Sequence, residues 1–254
     1  MIDTHAHLDH VENLPEVLAA AVRAGVTAVI AVGEDLASNQ KNLHISQSVS
    51  RPRIYPGFGF HPDRVHRQDP GPCLEFIQEH IKEAVAIGEI GLDFWYPWVK
   101  KEPALKEKQK AVFLRMLQAA KETDRPAVIH SRGAWQESLD MVRDAGIQKA
   151  VFHWYSGPLD VLDLILAQGY YVSCSPSLSY SQPSQAVVRA ASLDRLLIET
   201  DSPVFYRNGD DGPGFIASPQ DVLITLDWVY RLKNLPKEAA SEVLNQNARR
   251  FFAL

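Results

Sequence analysis

Cysteine is nearly absent from this chain. Cys73 and Cys174 are the only two in 254 residues, too far apart for a disulfide framework and without the spacing of a thiolate metal site. They read as packing residues. Long apolar runs are missing as well: nothing approaches the roughly 18 consecutive apolar residues that suggest a membrane-spanning helix, and the N-terminus enters a strand-like run without a basic-then-apolar leader. The expectation is a cytoplasmic protein with no membrane association. Positive charge is not in excess either. A formal net charge of −5 argues against a broad basic surface that tracks long duplex DNA, though it leaves a compact phosphate site untouched. No low-complexity segment, repeat or long linker interrupts the chain. With 46% hydrophobic and 22% charged residues, it reads as one globular domain over residues 1–254.

What is present is a regular alternation of short apolar runs and longer amphipathic ones. Candidate strands lie at Ile2–Leu8, Val26–Val32, Ile54–Phe60, Ala84–Ile90, Ala127–His130, Ala150–His153, Tyr170–Ser173 and Leu196–Thr200. Helical patterns fall between them, from Val11–Arg23 onward, and two more close the chain near 219–233 and 237–251. Eight strands with helical crossovers in about 250 residues is the arithmetic of a (β/α)8 TIM barrel. A doubly wound open sheet is the alternative, but the phosphate-binding glycine fingerprint is missing after the first strand.

The first strand carries His5 and His7. Side chains alternate faces along a strand, so both rings point the same way and can close on one cation. Alone, such a pair reads first as decoration of a strand end. The other strand ends decide, because barrel enzymes collect their chemistry at the C-terminal mouth. There stand His61 after strand three, Glu89 and Asp93 after four, His130 after five, His153 after six and Asp201 after eight. Each has a duller explanation, as a solvated histidine or a helix cap. Converging on one face, they need a partner, and a divalent cation is the natural one.

Several motifs in order resemble the TatD family of metal-dependent hydrolases, many of them deoxyribonucleases, within the wider amidohydrolase-like barrels. They are Asp3-Thr4-His5-Ala6-His7-Leu8-Asp9, Gly57-Phe58-Gly59-Phe60-His61-Pro62, Gly88-Glu89-Ile90-Gly91-Leu92-Asp93, Val128-Ile129-His130-Ser131-Arg132, His153-Trp154-Tyr155-Ser156-Gly157, Glu199-Thr200-Asp201-Ser202-Pro203 and Asn247-Ala248-Arg249-Arg250-Phe251. The resemblance spans essentially the whole chain. It implies that His5, His7, Glu89 and Asp201 hold one metal and that Glu89, His130 and His153 hold a second, with Glu89 bridging. Histidine and carboxylate donors suit Zn, Mn, Ni or Fe, and Mg less well, so two divalent ions of open identity are expected.

Such a pair activates a water and neutralises both oxygens of an in-line displacement. Asp201 is then the candidate general base beside the bridging Glu89. Asp93 and Asp3 are expected to accept the outer ring proton of a ligand histidine, although Asp93 could equally cap the loop after strand four. His61 and Arg132 are candidates to touch a phosphate oxygen. Trp95, Trp98 and Trp154 lie in the same loops, where aromatic faces suit unstacked bases or simply pack the rim. Single-stranded DNA or another phosphodiester is the expected substrate, with no obligate protein partner, and 3′ to 5′ polarity is implied by the resemblance alone.

Some positions depart from the family pattern. Gly133 replaces an acid after His-Ser-Arg, Trp154-Tyr155 replaces a smaller pair, and Asp210 and Asp211 sit in a loop that is often more basic. Two further readings therefore stand: a metal-dependent hydrolase of an ester or amide, and a non-catalytic metal-binding protein. A lysine-carbamate centre fits less well, because Glu89 occupies the bridging position and no lysine lies at that strand end.

Overall fold

A computed structural model describes residues 1–208 and 212–254. Its strands are β1 (Ile2–Ala6), β2 (Ala28–Val32), β3 (Arg53–Phe60), β4 (Ala86–Gly91), β5 (Ala127–His130), β6 (Ala150–Phe152), β7 (Tyr171–Cys174) and β8 (Leu196–Ile198). They form one eight-stranded sheet in sequence order. Neighbouring strands are parallel throughout. The expected TIM-barrel architecture is present.

Closure between the last and first strands is indirect. Near the mouth it uses backbone: Asp201 N donates to His5 O at 2.9 Å and His7 N to Ser202 O at 2.7 Å. Below that point a side chain does the work. Asp3 accepts from Thr200 N at 2.9 Å and from Thr200 Oγ1 at 2.6 Å, so its carboxylate stands in for a missing ladder rung.

Period-two alternation sorts the strand side chains into two apolar populations. Val29, Ile87, Ile129, Phe152, Val172 and Ile198 join the layer under the helices. Ile30, Ala86, Val128, Val151, Tyr171 and Leu197 form a separate cluster inside the barrel. Helices cover the outer layer with stripes spaced to match their turn. On the helix Ala104–Glu122 the buried positions include Val112, Phe113, Met116, Leu117 and Ala120. The lower end of the barrel is plugged by the last helix, Lys237–Phe252, whose Phe251 and Phe252 are buried with the inner cluster. Asn247 on the same helix donates to Leu193 O at 2.7 Å and to Leu196 O at 2.9 Å. The Asn-Ala-Arg-Arg-Phe motif is thus a structural device at the end opposite the mouth.

Near the mouth, the described residues include a short helix and a ribbon that were not expected. Residues 97–101 form a one-turn helix inside what reads as a loop. After the last barrel strand, β9 (Phe205–Asn208) and β10 (Gly212–Ile216) pair as an antiparallel ribbon.

Candidate metal centre

One inward step separates the apolar lumen from a polar one. Along β5 and β6 the inward face passes from Val128 to His130 and from Val151 to His153; along β7 and β8 it passes from Tyr171 to Ser173 and from Leu197 to Glu199. Glu89 comes from β4, where the chain runs very close to β3. A Cβ on Gly59 would lie 2.4 Å from the backbone nitrogen and oxygen of Glu89, so only glycine at 59 lets Glu89 sit there.

The donor atoms fall into two groups around Glu89. Toward Oε2, His5 Nε2 and His7 Nε2 each lie 3.3 Å away. The same nitrogens are 3.4 and 3.3 Å from Asp201 Oδ1. These separations match the edge of a tetrahedron, about 3.3 to 3.4 Å, whose corners are about 2.0 to 2.1 Å from its centre, an ordinary ligand distance. His5 Nδ1 and Nε2, His7 Nδ1 and Asp201 Oδ1 are buried with no hydrogen-bond partner. Leaving such groups unmet costs about 1 to 3 kcal/mol each. A cation between them would remove part of that cost, so this donor set fits a metal.

Toward Oε1, His130 Nδ1 and His153 Nε2 each lie 2.7 Å away and 3.3 Å from one another. Their rear nitrogens are held by carboxylates. His130 Nε2 is 2.8 Å from Asp93 Oδ2, and His153 Nδ1 is 3.4 Å from Glu199 Oε1, while Ser173 Oγ donates to Glu199 Oε2 at 2.5 Å. Each carboxylate takes the rear ring proton and leaves the inward lone pair free for a cation. Asp93 therefore sits where expected, behind His130, and it also accepts from Arg132 Nε at 2.7 Å. Asp3 does not have the expected role. Its oxygens are taken by Thr200 and the His5 backbone, because the seam between β8 and β1 claims it before any ring can.

Charges in the cluster are mutually dependent. Burial alone would drive the Glu89 carboxyl up, but His153, His61 and His5 and the His130 hydrogen bond hold it well below the usual carboxylate range. Asp201, opposed by burial in the same way, is held down to about 2 by His7, His5 and His153. Against burial, Asp201 and Glu89 keep the His7 imidazole, and Glu89 and Glu199 the His153 imidazole, well above the ordinary value. Asp3 has no cationic neighbour, and burial pushes its carboxyl well up despite the bonds from Thr200 and His5.

A cavity of about 590 Å³ opens above these donors. Its wall includes His61, Arg132, Trp95, Tyr96, Trp135 and Trp154. Trp95 is 51% exposed and meets Trp135 edge to face at 5.5 Å. Gly133 makes room for it, since a Cβ there would lie 2.3 Å from the indole. Trp154 is tethered, its Nε1 donating to Ser177 Oγ at 2.9 Å. Trp98 departs from expectation: it does not line the cavity, stacks on Tyr96 at 4.3 Å and packs against the core. Arg132 covers the Tyr96 ring at 4.9 Å. Asp210 and Asp211 lie outside the described residues.

Glu34 and Glu199 are the residues that motif reading passed over. Glu34 lines the cavity, with Oε2 at 2.9 Å from Arg64 and 3.4 Å from His10. Strand parity pointed to both: Glu34 follows Ile30 and Val32 in steps of two, and Glu199 follows Leu197.

Comparison with known proteins agrees with this site. The family described as TatD related DNase matches residues 2–253. Human deoxyribonuclease TATDN3 is 29% identical over 266 residues, covering 99% of this chain and 94% of that protein. An uncharacterized metal-dependent hydrolase of Haemophilus influenzae is 28% identical over 260 residues, covering 100% of both. Among solved structures, YJJV, a TatD homolog from Escherichia coli K12, aligns with a TM-score of 0.89 at 23% identity, over 100% of this chain and 98% of that one. With a family match over nearly its whole length and the buried histidine and carboxylate donors at the strand ends, the chain belongs to the TatD-related DNase family of metal-dependent hydrolases.

Proposed function

We propose that the protein is a two-metal phosphodiesterase that removes nucleotides from the 3′ end of single-stranded DNA. The observation that carries this reading is Glu89, whose two oxygens face two different donor groups. His5, His7, Glu89 and Asp201 would hold one ion, and Glu89, His130 and His153 the other. Bound there, a pair of divalent ions supplies Lewis acidity and an activated water for in-line displacement at phosphorus.

The chain's own groups do the remaining work. Asp201 takes the proton of the attacking water. Asp93 and Glu199 keep His130 and His153 turned inward. Arg132 steadies a phosphate oxygen at the wall of the cavity, while Trp95 and Trp154 offer faces to unstacked bases. A strand end enters a walled cavity more readily than the middle of a rigid duplex. The net charge of −5 gives little help in holding long DNA. Two buried free thiols, Cys73 and Cys174, suit the reducing cytoplasm.

A turnover screen of the metal-loaded protein tests the reading, using single-stranded, duplex and covalently closed circular DNA, RNA, a chromogenic phosphodiester, and ester and amide substrates. Single strands should shorten from the 3′ end and circles should resist. Turnover of esters or amides alone would overturn the assignment, and efficient cutting of circles would remove the need for an end. Trp95→Ala should raise KM for a single-stranded oligonucleotide about 5- to 150-fold, the equivalent of about 1 to 3 kcal/mol of stacking, and spare the small phosphodiester. Trp98→Ala should lower thermal stability instead.

A further inference from the structure

His61 follows β3 at the edge of the cavity, and its ring could serve either of two purposes. Its Nε2 is 3.4 Å from His130 Nδ1 and 3.5 Å from Glu89 Oε1. These three side chains could pass for a metal-donor group of their own. The other ring nitrogen decides between the two. The backbone N–H of Asp63 donates to His61 Nδ1 at 3.1 Å, closing a local turn like those made by Asn and Asp side chains. An N–H can be met there only by a lone pair, which puts the ring proton on Nε2. Glu34 Oε1, 4.0 Å from the same Nδ1, is too far to draw the proton back.

His130 and His153 have the opposite arrangement. Carboxylates stand behind them and hold a ring proton on the rear nitrogen, so their inward nitrogens can each offer a lone pair to a cation. Behind His61 stands a donor. Its inward edge is therefore a polarised N–H, which repels a bare cation and attracts an oxygen.

We infer that His61 is not a metal ligand but a fixed N–H donor, aimed at the space before Glu89 and His130, where it hydrogen-bonds a phosphoryl oxygen of the substrate. The inference rests on the phosphodiesterase reading for the identity of that oxygen. The ring is 5% exposed and its turn is already formed. A donor held in this way needs no reorganisation as charge builds on the oxygen it meets, and removing one such donor commonly costs about 100- to 1,000-fold in rate.

Two substitutions separate donor from ligand. His61→Asn keeps a carbonyl that can accept the Asp63 N–H but lacks the inward N–H; His61→Gln returns an amide N–H toward the cavity. Metal per chain should be unchanged in both. Inorganic phosphate binding to the metal-loaded protein should weaken about tenfold in the Asn variant, as expected for loss of one hydrogen bond to a charged group, and recover in part in the Gln variant. Turnover of a phosphodiester should fall about 100-fold and recover in the same order. In wild-type protein, the ring 15N spectrum should show the Nε2–H tautomer. An Nδ1–H tautomer, loss of an ion in His61→Asn, or phosphate affinity equal to wild type would overturn the inference. If the wild-type protein cleaves no phosphodiester, the functional reading fails, while tautomer, metal count and phosphate binding still decide the standing of His61.

Discussion

The two ends of the barrel lumen are built from the same strands and the same alternation, yet they serve opposite ends. In the lower part, Ile30, Ala86, Val128, Val151 and Leu197 meet one another and the Phe251 and Phe252 plug, with few polar atoms to satisfy. One inward step higher, His130, His153 and Glu199 occupy the corresponding positions, and nearby His5 and Asp201 leave buried polar atoms without hydrogen-bond partners. The lower part lowers the free energy of the fold by about 1.5 to 3 kcal/mol for each large apolar side chain buried. The upper part gives some of that back. The difference teaches where chemistry can be placed: a rigid apolar floor holds unsatisfied donors in position, and those donors become favourable once cations lie among them.

Substitutions on either side of this boundary should fail in different ways. The largest loss of activity is expected at Glu89, which alone faces both donor groups. Glu89→Ala should lower kcat by at least about 1,000-fold and remove metal from the protein, measured by elemental analysis beside turnover. Retention of two ions would break the bridging role. Below the boundary, Phe251→Ala should destabilise the fold by about 3 to 5 kcal/mol and leave metal content and kcat nearly intact. Denaturant unfolding read alongside turnover checks it. An activity loss matching the stability loss would mean that the two ends are not separable. Asp201→Asn is the intermediate case: its amide oxygen can still face the cluster but cannot take a proton. Activity should fall about 100-fold or more with much of the metal kept, and near-normal turnover with bound metal would rule out the base.

Most of this plan was legible in the chain because it rests on local regularities. The eight strand runs stand within about two residues of the observed elements, as boundary definitions allow. The ligand candidates cluster because each ends a strand whose C-terminal end faces the mouth. What was not legible depended on contacts distant in sequence. The fate of Asp3 is set by how β8 meets β1, 197 residues away at Thr200, and nothing near Asp3 announces that seam. Trp98 and Trp95 are equivalent in sequence, both aromatic and both after strand four. They part only because the turn of helix at Pro97–Lys101 and the space at Gly133 send one inward and one to the rim. Glu199 was visible by parity but overshadowed by Asp201 two residues on.

The carboxylates behind His130 and His153 sharpen the comparison further, since they act through the rings they hold and not on the substrate. Asp93→Asn and Glu199→Gln should each cost about 10- to 100-fold in metal affinity or activity, the usual range for groups that orient a ligand ring. Glu199→Gln is the cleaner test. Ser173 can still donate to its amide oxygen, whereas the carboxylate that keeps the proton on His153 Nδ1 is gone. Metal titration by calorimetry checks both, and unaltered affinity would reduce these carboxylates to packing groups.

The smallest expected effect is a pH dependence confined to the upper end. In metal-free protein His7, His130 and His153 have raised ring values. Their contribution to stability is fully present below the unfolded histidine value, about 6.5, and is lost as pH rises through the folded values. Glu89, Asp93 and Asp201 are shifted down. Their contribution is present above about pH 4 and is lost as pH falls through the folded values. Asp3, shifted up by burial, runs with the histidines: its contribution is present below about pH 4 and is lost as pH rises through its folded value. Metal-free protein should therefore be most stable between about pH 4.5 and 6.5 and weaken toward alkaline pH. Metal needs those same groups deprotonated, so metal-loaded protein should gain stability over the range where the metal-free form loses it. Thermal melts with metal and with a chelator, taken from pH 5.5 to 8.5, should diverge steadily. Parallel curves would mean that protons and metal do not compete for these donors. The apolar lower end supplies the internal control, because in Phe251→Ala both curves should drop together and keep the same divergence.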